Sequence, residues 1–269
     1  MDIQSLCEGI GLEGEARRQL AEESMDEPEY IDCKSRFIAD PDGFFKSINQ
    51  TVGYRRRLLE FFVRLAMDAH REYQMRDISD DVYFDTFTDI RIWCEICKRT
   101  YGEYGIQEYS WLQEHVRFRL FRLGRLQFQP YAFDRDLDID GFKVKSGQVV
   151  LNVHIPEGEP LSPESAERSF RQAESFFRGI PPVFMCRSWL LYPGLERVLK
   201  PDSNILRFQR MFRIHETDET SKQAEERIFG RTQEIPSEYE ASTSLQRAAK
   251  ADLMAGGKLG SGFGIRIGT

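Results

Sequence analysis

Apolar residues recur at spacings of three and four through the first 120 or so positions, and at alternate positions in much of the remaining chain. The first rhythm belongs to helices with one buried face, the second to strands. From Tyr54 to about Met75 the apolar stripe is Leu58, Phe62, Leu65, Ala69 and Tyr73, with Arg55, Arg56, Glu60, Arg64 and Glu72 on the expected wet side. Ser79 to Tyr101 repeats the pattern through Tyr83, Phe87, Ile90, Cys94, Cys97 and Tyr101. Ser79 suits an N-cap, and Gly102 suits a C-terminal stop. Two such helices in series predict an antiparallel pair in a small bundle. Ahead of them, residues 5–24 read as a short helix interrupted near Gly9 and Gly11. Asp26 to Tyr30, containing Pro28, reads as a connection. Asp40-Pro41 opens a helix to about Gln50 by cap and first-position chemistry.

Tyr109 to Leu123 fits either rhythm. The preferred reading is a helix to about Leu120 and a strand from Gly124 or Arg125, where Leu126 and Phe128 alternate with Gln127 and Gln129. Phe142–Val144, a Ser146-Gly147 turn and Val149–Ile155 read as a hairpin. Ser162-Pro163-Glu164 starts a helix with Ala166, Phe170, Ala173 and Phe177 on its inner face. Val183–Leu191 is a nearly continuous apolar run, as in a strand buried on both faces. A short helix at about Gly194–Leu199 and a strand at Leu206–Ile214 come next. Residues 215–242 are polar and helical around 221–229. Ser242 or Thr243 caps a last helix to about Met254, and the glycine-rich end offers a strand at Phe263–Ile267. The fold class is therefore α+β. A helical N-terminal domain, residues 1–108, is followed by a mixed β-sheet domain flanked by helices, residues 109–269.

Composition narrows the partners. Charged residues make up 30% of the 269, and the net charge is −7. An acidic balance argues against nucleic acid as the main partner, since phosphate backbones need a basic surface. No apolar run reaches the roughly 18 residues of a spanning helix, so no membrane is expected. No signal peptide is visible in Met1–Ser5. The five cysteines, Cys7, Cys33, Cys94, Cys97 and Cys186, are odd in number and scattered, which fits reduced thiols in a cytoplasm.

Several short motifs suggest chemistry. Cys94-Glu95-Ile96-Cys97 has metal-ligand spacing but no second ligand pair, and both sulfurs fall on the apolar stripe, so core thiols are expected and no metal. Asp136-Leu137-Asp138-Ile139-Asp140-Gly141 copies the start of a calcium loop. Its twelfth position is Gly147 where a glutamate is needed, so a polar turn is expected. The glycines from Gly256 to Gly264 lack the strand–loop–helix setting of a phosphate loop; they suit a close backbone approach or a flexible end. His154 ends a strand just before Pro156, the position that faces the ligand crevice in layered α/β folds, and is the best-placed acid–base candidate. Arg117, Arg119, Arg122 and Arg125 form a basic cluster suited to an anion or to solvent.

Four segments carry a family resemblance: Arg119–Phe128, Leu151–Pro156, Ser188–Leu191 and Asp202–Phe208. With them the second half resembles bacterial acyltransferase-domain proteins that join a helical N-terminal domain to a GNAT-like C-terminal domain. The resemblance implies that acyl-CoA or acetyl-CoA is the co-substrate and a small-molecule amine the acceptor. It implies that the ligand lies where strand 149–155 and strand 183–191 splay apart. The start of helix 163–178 would hold the pyrophosphate, which nominates Ser162, Glu164 and Ser165, with Arg122 and Arg125 as supporting cations. It further nominates His154 as the base, Tyr192 as the acid for the leaving thiolate and Ser188 as an acceptor-orienting group. Trp189, Ser203 and Asn204 would line the acceptor crevice. The turn Pro156-Glu157-Gly158-Glu159-Pro160-Leu161-Ser162 stands where the family has a Gln/Arg-x-x-Gly-x-Gly turn. A rival expectation is a non-catalytic module that keeps the GNAT shape for binding or regulation.

Overall fold

Residues 1–22, 24–139 and 141–268 are described in the computed structural model of the chain. Their contacts form two units, Met1–Leu123 with Pro156–Gly158, and Gly124–Ile155 with Glu159–Thr269.

The first unit contains helices α1 (Ile3–Gly9), α2 (Gly14–Glu22), α3 (Glu27–Ala39), α4 (Pro41–Ile48), α5 (Tyr54–Met75), α6 (Asp80–Tyr101) and α7 (Tyr109–Val116), then a short strand β1 (Phe121–Leu123). α5 and α6 run antiparallel. The Tyr83 ring at the start of α6 lies 5.2 Å from Tyr73 at the end of α5, and the Tyr83 hydroxyl donates to Ala66 O at 2.8 Å. α7 begins just past the domain boundary expected at residue 108 and packs on α5 and α6 within this unit. The segment expected to be a connection is in fact the first turn of α3. Asp26 caps it by accepting from Glu29 N, and Pro28 sits in the turn where no amide hydrogen is needed. Tyr30, Cys33 and Phe37 form its buried stripe, and the Phe37 ring lies 5.6 Å from Phe61 of α5. Glu60 also departs from expectation. It is 3% exposed and accepts from Met25 N at 2.7 Å, so its carboxylate caps backbone in the interior instead of facing water.

The second unit contains strands β2 (Leu126–Ala132), β3 (Leu137–Ile139), β4 (Phe142–Val144), β5 (Val149–His154), helix α8 (Pro163–Phe176), β6 (Val183–Ser188), helix α9 (Asn204–Gln209), β7 (Arg213–Asp218), helices α10 (Gln223–Phe229) and α11 (Ser244–Met254), and β8 (Ser261–Ile267). In this unit the main sheet has the order β2-β5-β6-β8-β7. The β5–β6 pair is parallel; the β2–β5, β6–β8 and β7–β8 pairs are antiparallel. Phe128, Phe170 and Phe184 seal α8 onto one face, with Phe170–Phe184 centroids 4.9 Å apart. The other face carries Val150, Val183, Phe263 and Ile265, packed with Phe133, Leu137 and Val144.

Three expectations in this unit are corrected. The strand Phe142–Val144 pairs with Leu137–Ile139, not with β5. Gly141, at φ 84°, turns that hairpin, and Asp138 Oδ1 accepts from its amide at 3.0 Å. Residues 206–212 do not form a strand. Ser203 caps α9 by accepting from Leu206 N at 3.3 Å, so Leu206, Phe208 and Gln209 are buried on a helix and the strand starts at Arg213. β6 stops at Ser188, and Trp189–Leu191 form a 3₁₀ turn whose first step the Ser188 hydroxyl caps. The glycine-rich end forms β8, an interior strand between β6 and β7.

Candidate functional site

β5 and β6 pair at Leu151↔Phe184 and Asn152↔Met185. Beyond these positions each strand keeps its other neighbour. β5 stays paired to β2 as far as His154↔Gln127, and β6 to β8 as far as Ser188↔Gly262. The sheet therefore opens between Val153-His154 on one side and Cys186–Ser188 on the other.

His154 stands at the mouth of the opening, half-buried. The register sets Gln127 opposite His154 and Gln129 opposite Asn152. Directly opposed residues of an antiparallel pair project to one face, so Gln127, Gln129, Asn152 and His154 make a polar patch. Phe128, Leu151 and Val153 point the other way, under α8. Asn152 Nδ2 lies 3.1 Å and Gln129 Oε1 3.2 Å from His154 Nε2. A lone pair on Nε2 serves the first contact and a proton on it serves the second; a half-turn of one carboxamide reconciles them. Gln127 is 1% exposed, and its Nε2 meets no acceptor among the described residues. Gln127, Gln129 and Asn152 were not singled out from sequence as site residues. Their signal was the alternation Leu126-Gln127-Phe128-Gln129 and Leu151-Asn152-Val153-His154, which reads as a strand face before it reads as chemistry.

The start of α8 is occupied by its own side chains. Ser162 Oγ accepts from Ser165 N at 3.1 Å, and Ser165 Oγ donates to Ser162 O at 2.8 Å. Pro163 has no amide hydrogen. The Glu164 carboxyl is held below its ordinary range, first by its own backbone amide and then by the Ser162 hydroxyl. One turn on, Ser169 Oγ accepts from Arg125 N at 2.8 Å and Leu126 N at 3.3 Å, which ties α8 to the start of β2. Arg125 Nε donates to Glu159 O at 2.9 Å, securing the turn before the helix. Arg122 lies on β1 in the first unit, where its amide donates to Thr86 Oγ1 at 3.0 Å.

The remaining nominated residues sit past β6. Ser188 Oγ accepts from Leu190 N at 3.2 Å. Trp189 N donates to Gln223 Oε1 at 2.7 Å, and its ring packs on the cluster of Leu195, Leu206, Ala224 and Ile228. Tyr192 is buried in the same cluster, with its hydroxyl hydrogen-bonded to Arg197 and its carbonyl accepting from Gln209 Nε2 at 2.8 Å. Ser203 caps α9, and Asn204 is the exposed first residue of that helix. His154 is thus brought together with Gln127, Gln129 and Asn152, whereas Tyr192, Trp189 and Ser203 gather around the α9–α10 core.

Other candidates resolve into packing. Burial pushes the Cys186 thiol up to about 12. Cys94 and Cys97 are buried, raised by burial to about 12 and about 11. Asp136 accepts from Lys145 Nζ at 2.7 Å and Ser146 N at 2.9 Å, so it serves the turn; Asp140 lies outside the described residues. Among the described residues no group of His, Cys, Asp and Glu is arranged to hold a metal ion, and no helix is long and apolar enough to cross a membrane.

The comparisons agree with this topology. A family described as GNAT-like C-terminal domain matches residues 120–266, and one described as N-acyltransferase N-terminal domain matches residues 1–118. Among solved structures, an acyltransferase in complex with CoA and 10C-Teicoplanin has a TM-score of 0.77 at 23% identity, covering 98% of this chain and 87% of that one. An acyltransferase in complex with decanoyl-CoA and teicoplanin gives 0.75 at 23% identity, with coverages of 98% and 87%. An acyltransferase in complex with decanoyl-CoA gives 0.68 at 23% identity, with coverages of 99% and 99%. At such identities the likeness is one of fold. None of the curated proteins compared with the chain matches it.

Proposed function

We propose, from the premise that the chain belongs to the family of proteins with a GNAT-like C-terminal domain, that it is an N-acyltransferase. It takes an acyl group from acyl-CoA and passes it to an amine on a small-molecule acceptor. The observation that carries this reading is the opening of the sheet after Asn152↔Met185, with His154 at its mouth. An extended pantetheine arm can lie along such an edge, much as an added strand does.

In this reading the acceptor amine attacks the thioester carbonyl; a C–N bond forms, the C–S bond breaks, and the thiolate leaves. His154 takes the ammonium proton, and the thiolate takes its proton from solvent at the opening. Ser188 orients the acceptor, and the exposed Asn204 lines its approach. Ser162, Glu164 and Ser165 shape the turn that meets the CoA phosphates, with Arg125 as a cation. The fold relatives solved with decanoyl-CoA support a long acyl group as the first to try. Buried, unpaired cysteines suit a reducing compartment such as the cytoplasm.

A second reading is favoured by the start of α8. Its early donors are engaged by Ser162 and by the Glu164 carboxylate, an anion where a pyrophosphate would sit. On that basis the fold would serve as a non-catalytic binding or regulatory module. Isothermal titration calorimetry with decanoyl-CoA, acetyl-CoA and free CoA separates the two. Saturable binding followed by CoA thiol release on adding amines supports the enzyme. Absence of binding at every chain length transfers the weight to the module.

A further inference from the structure

α1 and α2 leave a cavity of about 490 Å³ between them, within the size range of small-ligand sites. Ile3 and Cys7 line it from α1, one turn apart, and Leu20 and Ala21 line it from α2. Cys7 and Leu20 are buried, whereas Ile3 is 39% exposed, so the cavity has a closed apolar floor and an open apolar side. Its charges lie at the rim. Arg17 Nη1 and Glu8 pair there at 3.7 Å, and Glu8 also accepts from Gln4 Nε2 at 3.0 Å, which matches the one acid of the lining. Arg18 lines the cavity too, and its guanidinium has no ion pair or hydrogen bond among the described residues. An apolar cavity with one unmatched cation at its rim is complementary to an apolar molecule that carries one negative charge.

We propose that this cavity binds a free monocarboxylate with an aliphatic tail, a medium-chain fatty acid, whose carboxylate accepts from the Arg18 guanidinium and whose tail covers Ile3, Cys7, Leu20 and Ala21. A planar guanidinium matches a carboxylate with two parallel N–H donors, which a point charge does not. The tail gains by taking the apolar surface of Ile3 and Ala21 out of water. A multiply charged anion is disfavoured, because one guanidinium is available and Glu8, Glu15 and Glu22 stand on the same two helices. The same acids oppose an anionic bilayer, so the occupant is a free molecule and not a membrane surface. The site is built from α1 and α2 of the first unit and includes no residue of the opening beside His154. It does not depend on the acyltransferase reading.

The test is calorimetry on the full chain with octanoate and 1-octanol, which share their tail length and differ in the charge of the head. Octanoate is expected to saturate the wild type with a Kd of about 0.1–1 mM, and 1-octanol to bind about tenfold more weakly. Arg18→Gln removes the partner of the head and brings the two ligands to within about twofold of each other. Ala21→Trp fills the cavity and weakens both by about tenfold or more. Both substitutions are at exposed positions, where the fold is expected to tolerate them. Absence of saturation by octanoate overturns the proposal. A preference for octanoate that survives Arg18→Gln overturns it as well, because the charge is then recognised elsewhere. So does unchanged octanoate affinity in folded Ala21→Trp, because the tail then lies elsewhere. If Ala21→Trp does not melt cooperatively, the Arg18→Gln comparison decides alone.

Discussion

Gly262 lies so close to Leu191 that a Cβ added to it would stand 2.2 Å from the Leu191 carbonyl oxygen and 2.6 Å from the carbonyl carbon. Leu191 ends the 3₁₀ turn that leaves β6, and Gly262 belongs to β8, which pairs with β6. The obstacle is backbone, which cannot rotate out of the way. Gly262→Ala is therefore expected to destabilise the protein by about 3 kcal/mol, seen as a lower urea midpoint at constant m. Gly14→Ala is the control: its nearest atom is the end of the flexible Arg18 side chain at 3.8 Å, and no loss of stability is expected. Equal effects would show that β8 tolerates a side chain at this crossing.

Ser169 holds the start of β2 to α8 with a single hydroxyl. Its Oγ accepts from Arg125 N and Leu126 N and donates to Ser165 O at 3.1 Å. Ser169→Ala leaves buried amides without a partner, at a cost of about 2 kcal/mol. Thermal unfolding of the variant measures it. A change below about 0.5 kcal/mol would mean that relaxation or water replaces the hydroxyl.

The cysteines predict an alkaline limb of the stability curve. Burial raises Cys7 and Cys97 to about 11, and Cys94 and Cys186 to about 12, from an ordinary value of 9.0. Below pH 9.0 both folded and unfolded chains hold these protons, and the thiols add no pH dependence. Between 9.0 and about 11–12 the unfolded chain releases them first, so stability falls as pH rises. Urea titrations from pH 8 upward should show this fall, reduced in Cys186→Ala relative to its own value at pH 8. At neutral pH a thiol reagent should react only as fast as the chain opens; immediate labelling would contradict their burial.

His154→Ala is expected to lower kcat for acyl transfer by about 10²–10³-fold with little change in the Kd for decanoyl-CoA. Thiol release and calorimetry on the same preparation measure the two effects. Full turnover in the variant would place the base elsewhere. Loss of acyl-CoA binding alone would make His154 a binding residue.

Much of the helical architecture was legible in the chain. Ser79, Ser162 and Thr243 each accept from a first-turn amide of the helix they were expected to open. α5 spans Tyr54–Met75, the helix expected from its apolar stripe between Leu58 and Tyr73. The start of α3 was hidden by Pro28, which suits a connection as well as it suits the first turn of a helix. α9 has the look of a strand because Leu206 and Phe208 alternate with Arg207 and Gln209. The cap at Ser203 decided for the helix, and both rhythms bury those two residues over so short a segment.

The site was legible only in part. His154 stands at a strand end beside the opening, and Gln129 and Asn152 meet it. Tyr192 and Trp189 come soon after β6 in sequence, yet the 3₁₀ turn at Trp189–Leu191 carries them into the core around Leu206 and Ile228.

The features that the sequence by itself determined are local: caps, stripes and alternations, each settled by contacts within a few residues. Partner choice was left to the tertiary structure. Phe142–Val144 pairs with β3, not β5; the glycine-rich end becomes an interior strand; and β5 and β6 part after Asn152↔Met185. Strand pairing joins residues far apart in the chain, and the same alternation satisfies many partners. The pairing is chosen only when every face is packed and every backbone group is counted at once.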